Sequence, residues 1–296
     1  MTAPWLMVGA SFLFATMGVC VKFASAHYHP GEIVFYRGLV GALVLGATSA
    51  WRGGSLRTPV PAMHFWRSAV GVASLVLWFY AIGGLPLATA MTLNYMSSVW
   101  MALFLIGGAV MMGSARVDGR LVAAVLVGFA GVALVLRPTI DDRQLWYGLA
   151  GLLSGMLAAL AYLQVTALGR AGEPETRIVF YFSLGGMAAG AATMLWSGAS
   201  EHVAFGPLWL VAVGVLATAA QMLMTRAYAI GRALSNASLQ YLGIAFASVY
   251  GVLLFGDPLT LSALAGMALI VAAGLAATLL RARSVPRDAQ RATPES

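Results

Sequence analysis

The sequence predicts an all-α membrane protein of ten transmembrane helices, arranged as two inverted five-helix repeats with both termini cytoplasmic. Three observations carry that reading. The 296-residue chain is 60% hydrophobic and only 9% charged, with a mean hydropathy of +0.86; a water-facing domain needs about a quarter of its residues charged. Apolar stretches of about 20 residues, each long enough to cross a bilayer, follow one another along nearly the whole chain. Short motifs in the first half also recur, in order, in the second.

In chain order the spans are expected at 4–26, 32–51, 66–83, 87–112 and 120–137, then at 145–169, 178–198, 207–231, 236–256 and 260–280. Ala24-Ser25-Ala26 resembles a signal-peptidase site. Met1 to Leu6 carries no basic residue, however, and the apolar run is too long, so the first span is read as a permanent helix. The remaining loops are too short for a soluble domain. The chain thus divides into a first repeat at 1–138, a second at 145–281 and a polar cytoplasmic tail at 282–296. The prolines sit at span ends or in loops, so no proline-broken helix is signalled.

Orientation follows from the basic residues. Twelve of the seventeen fall on the side of the N-terminus, Arg67 among them, and two (Arg137 and Arg143) on the other. The N-terminal side is therefore the cytoplasm. A net charge of +7 would suit nucleic acid in a soluble chain, but here it is spread through short loops without a binding motif and reads as topogenic. A single cysteine excludes an internal disulfide and any multi-cysteine metal site, and no cofactor is expected.

The internal repeat is specific. Ile33-Val34-Phe35-Tyr36 recurs as Ile178-Val179-Phe180-Tyr181, Tyr80-Ala81-Ile82-Gly83 as Tyr228-Ala229-Ile230-Gly231, and Thr92-Leu93-Asn94-Tyr95 as Ser238-Leu239-Gln240-Tyr241. Gly113 and Gly131 find partners in Gly256 and Gly274. Five helices is an odd number, so the second copy enters the membrane from the opposite face, the architecture of many alternating-access carriers.

These features resemble the drug/metabolite transporter superfamily in its EamA-like branch. Phe255-Gly256-Asp257-Pro258-Leu259-Thr260, followed by Gly266 and Ala273-Gly274-Leu275, is similar to that family's end-of-repeat motif, with Asp257 where Glu is usual. The first copy is more degenerate, with Ser114 and Val117 at the acid and Thr places. Aromatic richness makes the chain similar to the bacterial aromatic amino-acid exporters of that superfamily. The resemblance implies an exporter in a bacterial inner membrane.

Polar groups inside spans are the candidate binding residues. They are Asn94, Tyr95 and Trp100 on span four, Gln164 and Tyr162 on span six, Gln221 on span eight, and Gln240 and Tyr241 on span nine, with Trp78 and Tyr80 closing span three. Lys22 and Arg37 either snorkel to the outer headgroups or act as gate or charge contacts. Buried amides either bond across helices or face a cavity, and the repeat-matched Asn94 and Gln240 point to a shared one. Trp5, Trp51, Trp66, Trp146, Trp196 and Trp209 read as an interface belt. Amides, Tyr and Trp without a deep carboxylate suit a zwitterion with an apolar or aromatic side chain.

The expected partners are that small molecule and the lipid bilayer. Drugs, nucleosides or other metabolites are alternative cargoes, and a scaffold or channel is the alternative role. An intramembrane enzyme is not expected, because His27, His29, His64 and His202 all lie in loops or at span ends.

Overall fold

The structure is a computed structural model that describes residues 3–111, 119–136, 142–202, 205–230 and 239–284. The first half contains α1 (Ala3–Ala24), α2 (Pro30–Trp51), α3 (Pro61–Gly84), α4 (Leu87–Tyr95), α5 (Ser97–Met111) and α6 (Gly119–Leu136). The second contains α7 (Asp142–Arg170), α8 (Glu175–Ser197), α9 (Gly206–Ile230), α10 (Leu242–Phe255) and α11 (Leu261–Ser284). Among the described residues there is no strand, and six helices (α1, α2, α3, α7, α8 and α9) are each long and apolar enough to cross a bilayer. The chain is a multi-pass membrane protein. Ser114, Val117, Gly231 and the expected start of span nine at Asn236 lie outside the described residues, as does the tail beyond Ser284.

Most helix ends shift by a few residues from expectation, and three differences are larger. The third helix begins at Pro61 and not at Trp66, because a proline at the first helical position is preorganised for helix. Arg67, counted above as a loop charge, is therefore inside α3 and 3% exposed. The run at 87–112 is two helices, broken at Met96, whose N–H bonds the Leu93 carbonyl at 3.2 Å in a tightened turn. The matched place in the second half does the same: the Ile244 N–H bonds the Tyr241 carbonyl at 3.0 Å just where α10 begins. Finally, α11 continues to Ser284 and takes in the first residues assigned to the tail.

The helices pack as α2 on α8, α6 on α11, α1 on α9 and α3 on α7, with α4 meeting α10. Helices α2 and α8 approach backbone to backbone. A methyl group on Gly38 would strike the backbone of Ser183 and Met187, and one on Gly190 would strike the Gly31 carbonyl and the Phe35 Cα. Small residues are what let two backbones come this near where no water drives the association.

Exposed aromatic and aliphatic side chains cover the outside. Trp5, Trp51, Trp66, Trp146 and Trp196 are exposed near helix ends, as an interface belt requires. Trp209 differs: it is half-buried and stacked on Phe23 at 4.8 Å between ring centroids.

Candidate functional site

A central cavity of about 50 Å³ lies among α1–α4, α7–α9 and Gln240. That is room for a few water molecules, so a metabolite fits only when the lining parts. Its wall includes Phe14, Met17, Arg37, Arg67, Gly71, Ser74, Leu75, Trp78, Asn94, Tyr95, Tyr162, Phe182, Gln221 and Gln240, and no Asp or Glu.

Local structure explains how the polar side chains reach it. Asn94 and Tyr95 end α4 at the Met96 break, and Gln240 and Tyr241 stand at the matched break before α10. The two amides reach α7, whereas the Tyr95 hydroxyl lies against Gly243 of α10 and the Tyr241 hydroxyl against Gly274 of α11. The Asn94 amide donates to the Ser154 hydroxyl at 3.0 Å, and the Gln240 amide donates to the Tyr162 hydroxyl at 3.3 Å. The Tyr95 and Tyr241 rings meet edge to face at 6.5 Å.

Arg37 and Arg67 approach one ring from two helices. Their guanidinium carbons lie 4.9 and 4.1 Å from the Phe182 centroid. Arg37 follows the Ile33–Tyr36 motif and Phe182 follows its repeat, so the arginine stacks on its own counterpart in the second half. Gly71 lies one turn past Arg67, where a methyl group would collide with the Arg67 Nη1. Both arginines are almost fully buried, 4% and 3% exposed, so Arg37 does not snorkel.

Of the residues singled out from sequence, Asn94, Tyr95, Trp78, Gln221, Gln240 and Arg37 line the cavity. Tyr241 backs it through Tyr95. Trp100, Gln164 and Tyr80 are outside the lining: Trp100 packs on Phe104 and Phe129, and Tyr80 is partly exposed against Tyr147. Tyr162, expected beside Gln164 on span six, lines it as well. Arg67 also lines it, although its place beside Trp66 reads from sequence as a span start.

Each end of the bundle is tied by a polar network. At one end the Lys22 ammonium donates to both Asp257 oxygens at 3.1 Å, and the Leu87 N–H that opens α4 donates to Asp257 Oδ2 at 2.9 Å. Gly256, left-handed at φ 62°, stops α10, and the Asp257 N–H returns to the Gly251 carbonyl. That turn directs the carboxylate to the α4 N-terminus, where the helix dipole favours it. Lys22 is thus ion-paired and does not snorkel, and the motif acid joins α1, α4 and α10.

At the other end Glu173 accepts from His64 Nε2 at 2.9 Å and from Arg177 Nη1 at 3.1 and 3.2 Å. Arg177 also donates to the Ser55 carbonyl, and Tyr181 to that of Leu56. Gly172, at φ 81°, ends α7 and lets the Glu173 N–H return to Leu168, which aims its side chain inward. Above this network a vestibule of about 490 Å³ opens among α7, α8 and α9, with Tyr228 in its wall. Tyr228 stacks on Tyr162 at 6.1 Å, so this pair of rings links the vestibule wall to the cavity wall.

Burial alone raises the Glu173 carboxyl, but bonds from His64, Arg177 and Thr58 outweigh it and hold the group below the usual carboxylate range. A depressed carboxyl stabilises the fold above its unfolded value and loses that contribution as pH falls through its folded value. Acidification from about pH 6 to pH 3 is therefore expected to lower the melting temperature of the purified protein. Glu173→Gln is expected to be less stable at pH 6 and to lose much of that acid sensitivity; a variant with an unchanged pH profile would contradict the network.

A multi-pass helical bundle tied at both ends around a small polar cavity is an arrangement suited to a membrane transporter. Among the described residues no cluster suited to a metal ion occurs. The chain belongs to the EamA-like transporter family, whose model matches residues 1–137. It is 33% identical over 275 residues to a protein named pseudopaline exporter CntI from Pseudomonas aeruginosa, covering 92% of this chain and 94% of that one. A riboflavin transporter from Brucella anthropi is 26% identical over 91% of this chain and 95% of its own. A solved crystal structure shares the fold with a TM-score of 0.68 at 20% identity, over 96% of this chain and 99% of the other.

Proposed function

We propose that this transporter exports small metabolites of the amino-acid type, aromatic ones included, by alternating access across a bacterial inner membrane. The observation that carries the reading is the central cavity, where amides, tyrosines, a tryptophan and arginines converge without a carboxylate. Amides and arginines suit an amino-acid backbone, and rings suit an apolar or aromatic side chain. The two relatives are named for different cargoes, so family membership supports the metabolite class and leaves its member to the cavity's chemistry.

The mechanism rests on ten spans in two inverted copies, 1–138 and 145–281. Several findings support it: α1 on α9 mirrors α3 on α7, α2 on α8 and α6 on α11 pair repeat-matched helices, and the family model ends at residue 137. With the basic-rich side inside, cargo enters the vestibule, passes the Tyr162–Tyr228 pair and reaches the cavity. Opening of the Lys22–Asp257 end then releases it outside.

Flux of labelled amino acids, nucleosides and cationic drugs from proteoliposomes tests the substrate class. Amino-acid-type compounds are expected to move; movement of nucleosides or drugs alone would overturn the reading. Asn94→Leu and Gln240→Leu are each expected to weaken every cargo by about 1–3 kcal/mol, through lost hydrogen bonds. Trp100→Ala is expected to leave affinity unchanged, because that ring packs on Phe104 and Phe129. Binding to purified, monodisperse variants is the measurement.

A further inference from the structure

We propose that Arg37 and Arg67 form an anion-recognition site, and that within the amino-acid class it prefers a metabolite whose carboxylates outnumber its cationic groups. This rests on the reading of the central cavity as the transport site and goes past it by fixing the charge of what is carried.

Two buried guanidinium groups in hydrocarbon are costly unless an anion answers them. Among the described residues neither has a carboxylate partner: the cavity wall holds no Asp or Glu, and Arg37 Nε, Arg67 Nε and Arg67 Nη1 are buried without a hydrogen bond. The Phe182 face offsets part of that cost by cation–π attraction but accepts no hydrogen bond along the guanidinium plane. Trp78 Nε1, also unpaired in the wall, can only donate. The acceptors in the wall are the neutral oxygens of Ser74, Asn94, Tyr162, Gln221 and Gln240, and none of them carries a countercharge for the two arginines.

A plain zwitterion supplies one carboxylate for two guanidinium groups and brings an ammonium that reduces its net charge to zero. A cargo with a second carboxylate supplies both the charge and the acceptors, and bidentate pairing with arginine is the geometry that rewards it. Gly71 serves as a positioning residue, since only its missing side chain leaves space for the Arg67 Nη1.

The test uses L-glutamate and L-glutamine as near-isosteric probes differing by one charge, with equilibrium binding measured on the purified full chain. Wild type is expected to prefer glutamate at least tenfold. Arg37→Gln and Arg67→Gln are each expected to bring that ratio close to one. Gly71→Ala is expected to lower it by displacing the guanidinium, in a helix that tolerates alanine better than glycine.

Without ligand, Arg67→Gln is expected to melt no lower than wild type, because it removes an uncompensated buried charge. A lower melting temperature with the glutamate preference retained would assign the arginines a purely structural role and overturn the proposal. Equal binding of the two probes by wild type, or no binding of either, would overturn it too. The two readings fail separately. Arginine-dependent glutamate binding without carrier-type flux would remove the transport reading and keep the anion site. Carrier-type flux indifferent to both arginine variants would do the reverse.

Discussion

Gly38→Ala is expected to lower the melting temperature of the purified protein by on the order of 10 °C, a loss of about 2–4 kcal/mol. The added methyl group would meet the backbone of α8 at Ser183 and Met187, and backbone cannot rotate aside as a side-chain tip can. Helices α2 and α8 would have to separate, giving up the close packing that holds helices together in lipid. Gly46→Ala supplies the control on the same helix. There the nearest atom is the Phe180 ring at 3.6 Å, an ordinary contact, so alanine is expected to be neutral or slightly stabilising. Equal behaviour of the two variants in a thermal-unfolding assay would contradict the close crossing.

Asp257→Ala is expected to open the end held by Lys22. It removes the acceptor that caps α4 at Leu87, worth about 1 kcal/mol, and a partly buried ion pair worth about as much. Together these shift the closed-to-open balance by roughly 30-fold. A reporter is available just beneath the closure, at fully buried Met91, which neighbours Gly18 of α1. With Met91→Cys in a Cys20→Ala background, an impermeant thiol reagent added outside intact cells is expected to label about 30 times faster when Asp257→Ala is present. Lys22→Met keeps the cap and is expected to give a smaller rise. Asp257→Glu keeps both charge and acceptor and is expected to stay near the parent rate. Unchanged labelling in Asp257→Ala would show that this network does not hold the end shut.

What was legible in the sequence was what depends on local pattern. Apolar run length located the helices, and the repeat linked Asn94 with Gln240 and Tyr95 with Tyr241, which meet in and beside the cavity. The break at Met96 was not legible, because neither proline nor glycine stands there and only tertiary packing tightens the turn. Pairing across the chain was also hidden. Lys22 and Asp257 lie 235 residues apart, and His64 and Glu173 109 apart, with nothing in either neighbourhood to announce the partner. Arg67 looked like one more topogenic charge, because hydropathy cannot tell a cation at a loop edge from one folded inward on an aromatic ring. Trp100 shows the converse: an aromatic residue deep in a span can serve packing alone.

The central claim is that the chain is an alternating-access carrier for carboxylate-bearing metabolites, and counterflow in proteoliposomes tests it most directly. Vesicles loaded with unlabelled L-glutamate or L-phenylalanine are diluted into trace amounts of the same labelled compound. A carrier exposes its site to one side at a time, so labelled compound should enter faster against a loaded interior than an empty one, accumulate transiently and then decline. Influx indifferent to the internal compound would indicate a channel or a scaffold, and would contradict the alternating-access reading.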